Sequence, residues 1–172
     1  MENDLDLIIM PRYLLPKALI AYDCTEVISI FEKVEEGTIG EPTPAGINNH
    51  YRYYFNDEIE DTQEAPRKEE IESILNLYDS LCNKKTFVHC FAGVSRSAAA
   101  VYALYCRHLG AGRELDAFQL TLGSAPFKGI WPNERIVAFA DEILGRNDAM
   151  VNVLADWKAK ELLTAAEIWR NI

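Results

Sequence analysis

Residues 89–97 read His89-Cys90-Phe91-Ala92-Gly93-Val94-Ser95-Arg96-Ser97, between the run Thr86-Phe87-Val88 and the alanine-rich run RSAAAVYALYCRHLG. The first flank has the length and the β-branched and aromatic character of a strand, and the second has the composition of a helix closed by Gly110. A strand therefore ends at a cysteine, five residues form a tight loop, and an arginine opens a helix. A helix start carries unpaired backbone N–H groups and about half a positive charge. That setting lowers the pKa of a cysteine placed in it, and the same N–H groups can wrap a phosphate-shaped dianion. Gly93 lets the loop curl without a Cβ clash. The planar fork of Arg96 can grip two phosphoryl oxygens, which a lysine could not do. The chemistry this predicts is in-line attack of sulfur on phosphorus. A chance HCxxGxxRS in a chain this long has odds on the order of 1 in 10⁵.

Leu5–Ile9, Val27–Phe31 and Tyr51–Phe55 are further strand candidates. Residues 37–46, with EPTPAG inside them, read as an irregular loop, and an acidic loop runs from Asn56 to Glu64. Pro66 opens a helix whose apolar face is Ile71, Ile74, Leu75, Tyr78, Leu81 and Cys82. Helices are expected at Glu114–Leu122 and Pro132–Leu144, the second with proline in its first turn and Gly145 as its stop. A helical tail follows over 148–172, packing through Trp157, Leu162, Leu163, Ile168 and Trp169. The expected class is α/β: a short central mixed sheet flanked by helices. One domain would span 1–172, with a core over about 25–145 and the tail as an extension.

The chain has 172 residues and 17 Lys and Arg against 27 Asp and Glu, a formal charge of −10. That balance speaks against sequence-independent nucleic-acid binding, which draws its affinity from many Lys/Arg–phosphate contacts. No apolar run reaches the roughly 18 residues of a membrane span, and the first residues lack a signal-peptide pattern, so no membrane and a cytoplasmic location are expected. Cys24, Cys82, Cys90 and Cys106 form no CxxC pair, and His50, His89 and His108 show no metal spacing. Neither a metal nor a cofactor is expected.

The 89–97 stretch resembles the phosphate-binding signature of cysteine-dependent protein tyrosine phosphatases, HCx5R followed by Ser or Thr. The short length and mid-chain cysteine resemble the dual-specificity branch and the small bacterial tyrosine phosphatases. The resemblance implies a dual-specificity-like phosphatase fold in which Cys90 is the nucleophile and forms a cysteinyl-phosphate intermediate. It gives phosphate binding to the amides of Phe91, Ala92, Gly93, Val94, Ser95 and Arg96 and to the Arg96 side chain. Ser97 would hydrogen-bond the sulfur, and His89 would hold the loop. The family also places an aspartate acid on a loop roughly thirty residues before the cysteine. Asp57 is the first choice and Asp61 the alternative. Asn133, in Trp131-Pro132-Asn133-Glu134-Arg135, either approaches the phosphate loop or simply starts a helix.

The implied activity is metal-independent hydrolysis of phosphomonoesters on proteins, phosphotyrosine first, with dual specificity open. The loop would also bind phosphate, sulfate or vanadate. Lipid phosphates rank lower, because Phe91 to Ser95 carry no charge. The competing reading is a catalytically silent module that binds phosphoproteins.

Overall fold

Residues 4–37, 42–126 and 129–170 are described by the structure, a computed structural model, with side chains as far as residue 168. Residues 38–41 of the expected Gly/Pro-rich loop, the Trp169 side chain and the last two residues of the expected tail lie outside that description.

Strands β1 (Asp6–Ile9), β2 (Glu26–Phe31), β3 (Asn49–Tyr54) and β4 (Lys85–His89) lie in the order β1-β4-β2-β3. Leu7 pairs with Thr86, Ile28 with Val88 and Ile30 with Tyr53. All three pairings are parallel, so the expected mixed sheet is corrected to a parallel one. The reason lies in the connections. Residues 10–25, 32–48 and 55–84 are crossovers, and no two-residue hairpin turn joins any pair. Every residue of β2 is buried, as a strand covered on both faces requires.

Helix α1 (Leu15–Tyr22) covers one face, where Leu15, Ala18 and Leu19 meet Ile8, Val27 and Phe87. The expectation contained no helix there: the segment is short and carries Pro16 in its first turn, followed by a left-handed cap at Asp23. On the other face lie α2 (Lys68–Leu75), α3 (Tyr78–Leu81), α4 (Arg96–Leu109), α5 (Glu114–Gly123) and α6 (Glu134–Leu144). Helix α4 is the axis of this layer. It is buried from Arg96 to Cys106, and Ala98, Ala99, Ala100 and Ala103 let its neighbours approach closely. Fully buried Phe55, Tyr102 and Phe118 join this core, each contributing about 1.5–3 kcal/mol. The core also takes in Leu5, Leu7 and Ile9 at one end and Met150 and Leu154 at the other, beyond the expected 25–145.

Helix α7 (Ala149–Arg170) packs only through its first half. The Trp157 ring lies 5.2 Å from Phe118 and 5.7 Å from Trp131. Leu162, Leu163 and Ile168 are exposed, against the expectation that they pack. At 22 residues α7 is about 33 Å long and outruns α5 and α6, which have 10 and 11. No helix among the described residues is long and apolar enough to cross a membrane.

Because the sheet is parallel, all four strands finish at one edge. Met10, Glu32, Phe55 and Cys90 are brought together there.

Candidate active site

Between β4 and α4 the chain turns sharply at Gly93, whose φ is +71°. A Cβ at this position would lie 2.5 Å from the Met10 carbonyl carbon and 2.6 Å from the Pro11 nitrogen. Both the backbone angle and the close approach therefore demand glycine. Neighbouring segments take the loop's carbonyls: Arg12 N–H donates to Phe91 O (3.2 Å), Trp131 N–H to Val94 O (2.8 Å) and Asn133 N–H to Ser95 O (3.4 Å). Among the described residues, no oxygen accepts from the amides of Phe91, Ala92, Val94, Ser95 or Arg96. A loop with its carbonyls bound outside and its amides free is an anion cradle. Phe91 and Ala92 are exposed at its mouth.

Cys90 is 3% exposed, with Sγ 3.4 Å from Ser97 Oγ. Burial pushes this thiol up, but the Ser97 hydroxyl and amide, the Arg96 charge and the Gly93 amide outweigh it and hold the pKa below the ordinary 9. The contrast with the other buried thiols is instructive. Burial and the nearby Asp6 push Cys24 up to about 11, and burial pushes Cys106 up to about 12. Only at Cys90 of these three do the groups that favour the thiolate outweigh burial.

Arg96 is buried at the sheet edge and held by the ends of two neighbouring strands. Its Nη1 donates to Phe31 O (3.2 Å) and Phe55 O (2.9 Å), and its Nη2 pairs with Glu32. Nε is buried and has no hydrogen-bond partner among the described residues. Such an orphan donor costs about 1–3 kcal/mol, which an acceptor bound in the cradle would relieve.

Asp57 comes over the loop from the β3–α2 connection. One oxygen accepts from both Ser95 Oγ (2.7 Å) and Asn133 Nδ2 (2.8 Å). Asp61 is turned away, accepting from Arg67 Nη1 (3.0 Å) and Arg135 Nη2 (2.6 Å). Asn133 does both things weighed from sequence. Its Oδ1 accepts from Ile136 N–H (3.1 Å) and caps α6, while Nδ2 reaches Asp57 and Glu58 O.

Fully buried His89 lies behind the cradle, with Nδ1 3.3 Å from Cys90 O and Nε2 2.6 Å from Ser29 Oγ. The same hydroxyl is 2.7 Å from His50 Nε2. Burial drives both histidines down to about 4, so both are neutral at pH 7.

The structure thus brings together Cys90, Arg96, Ser97, Asp57, Asn133 and His89, and leaves Asp61 outside. Glu32, Ser29 and His50 were missed from sequence. Glu32 had a readable signal: a carboxylate directly after a buried strand, beside another strand that ends at Cys90. Among the described residues no three His, Cys, Asp or Glu side chains converge as metal ligands would.

No family model matches this chain, and no curated protein does. Solved structures do. Human DUSP28 superposes with a TM-score of 0.58 at 18% identity, covering 83% of this chain and 94% of that one. The human tyrosine phosphatase-like serine/threonine/tyrosine-interacting protein gives 0.56 at 23%, covering 78% and 84%. DUSP15 gives 0.54 at 18%, covering 92% and 94%. The fold is that of the dual-specificity and tyrosine phosphatases.

Proposed function

We propose that this chain is a metal-independent phosphatase that hydrolyses phosphomonoesters on protein side chains, phosphotyrosine first, through a cysteinyl-phosphate intermediate. The Cys90 thiolate attacks phosphorus in line. Loop amides and the Arg96 guanidinium bind the phosphoryl oxygens and stabilise the charge that spreads over them in the transition state, worth roughly 10²–10³ in rate per well-placed donor. Asp57 gives its proton to the leaving oxygen as the P–O bond breaks. In the second step Asp57 takes a proton from water as that water attacks the phosphocysteine. Sulfur then leaves as a thiolate, aided by the Ser97 hydroxyl, and inorganic phosphate is released. Asn133 and Ser95 position the acid.

One observation carries the reading: a buried thiol held below its ordinary pKa on the same loop as an arginine with an unsatisfied buried donor. Protein substrates are favoured over phosphoinositides because the side chains of Phe91 to Ser95 add no positive charge to the cradle. One structural neighbour, PTPMT1, is known in complex with PI(5)P. Phosphopeptide and phosphoinositide should therefore be assayed side by side.

The test is hydrolysis of a phosphotyrosine peptide in chelator, wild type beside Cys90→Ser. The expected result is turnover that survives chelator, is blocked by vanadate and falls to background in the variant. Phosphopeptide bound by folded wild type without turnover would replace the enzyme with a binding module.

A further inference from the structure

Four hydrogen bonds run from the surface to the base of the cradle. They link Thr43 Oγ1 to His50 Nδ1 (3.4 Å), His50 Nε2 to Ser29 Oγ (2.7 Å), Ser29 Oγ to His89 Nε2 (2.6 Å) and His89 Nδ1 to Cys90 O (3.3 Å). Their polarity follows from the last one. A carbonyl oxygen only accepts, so His89 carries its proton on Nδ1 and Nε2 is bare. Ser29 has one proton and gives it to that bare nitrogen. His50 then donates to Ser29 through Nε2–H, which leaves its Nδ1 to accept from Thr43.

We infer that Ser29, backed by His50, is a positioning residue that fixes the tautomer of His89 and, through it, the peptide plane between Cys90 and Phe91. The inference rests on the phosphatase reading and names residues that reading does not use. In a trans peptide C=O and N–H point in opposite directions. Holding Cys90 O toward His89 therefore sends the Phe91 N–H the other way, as a member of the cradle. Ser29 sits in the middle of β2, beside His89 in register on β4 and Arg52 on β3. It is fully buried, so its hydroxyl has no water to turn to. A buried serine between two neutral histidines serves no packing need that alanine would not meet. Its hydroxyl supplies direction.

The experiment has two arms. In a long-range ¹H–¹⁵N spectrum of the wild type, His89 should appear as the Nδ1–H tautomer and His50 as the Nε2–H tautomer. In alkylation by iodoacetamide against pH, Ser29→Ala should raise the Cys90 pKa by about half a unit to one unit, the size expected for loosening one buried hydrogen bond. Its kcat/KM should fall about tenfold, and Ser29→Thr should restore most of both. If Ser29→Ala does not fold, His50→Phe keeps a ring and removes the donor, with a smaller shift of the same sign. His89 in the Nε2–H tautomer, or a thiol pKa unmoved in the folded variant, overturns the inference alone. A wild-type Cys90 of ordinary pKa with no turnover would instead overturn the phosphatase reading.

Discussion

Between β4 and α4, a few consecutive residues carry the proposed nucleophile Cys90, the cradle and Arg96. Between β3 and α2, an acidic loop reaches the same place through side-chain bonds to residues 38 and 76 positions away. The first region is shaped locally, by a strand end, a glycine and a helix start, and its bonds to Arg12, Trp131 and Asn133 trim a conformation the chain already favours. The second is assembled by its surroundings. Arg135 donates to Pro66 O, Ile59 O and Asp61, Arg67 donates to Asp61 and Thr62 O, and Asn133 holds Asp57. The proposed nucleophile and the proposed acid are therefore separable. Damage to one loop should leave the other measurable.

The largest effect belongs to the local half. Arg96→Lys keeps the charge and loses the fork, so kcat/KM should fall about 10³-fold or more, some 4 kcal/mol at the transition state. A loss of under tenfold would mean that Arg96 supplies charge alone. The acid half comes next. Asp57→Asn should lower kcat by roughly 10²–10⁴ for a phosphotyrosine peptide, with little change for a substrate whose leaving group needs no proton. Asp61→Asn should cost less than about tenfold, because Asp61 only ties down its own loop; the reverse order of the two would reassign the acid.

Arg135→Ala sharpens the contrast further. It loosens the acidic loop without touching the cradle, so kcat should drop about tenfold while the Cys90 alkylation profile stays put. Movement of that profile would show the loops to be coupled. A separate effect is on stability against pH. His89 is driven down by burial to about 4 in the fold, against about 6.5 unfolded. The unfolded chain binds the proton first, so this contribution is intact above pH 6.5 and is lost as pH falls toward 4, by up to about 3 kcal/mol. An NMR titration of the His89 ring with a midpoint near 6.5 would remove that contribution.

The same contrast explains what could be read from the residues alone. The four strands and α4 were legible because an apolar run of strand length, or an alanine-rich run closed by glycine, is a local signal. The cradle was legible for the same reason. The parallel sheet was not, since direction depends on crossovers rather than on the strands. Helix α1 hid behind its proline, and the exposure of Leu162, Leu163 and Ile168 depends on where α5 and α6 happen to stop. At the site, Asp57 was reached through the family resemblance, and only Ser95 and Asn133 separate it from Asp61. Ser29 and His50 lie on neighbouring strands, and nothing in their own surroundings marks them; Glu32 is marked only by its place directly after a buried strand.

The most direct measurement is rapid acid quench of a reaction with ³²P-labelled phosphotyrosine peptide, followed by mapping of any label on the protein. The account predicts transient label on the peptide containing Cys90, accumulating in a variant slowed at the second step and absent from Cys90→Ser. Turnover with no labelled protein, or with the label on another residue, would contradict it.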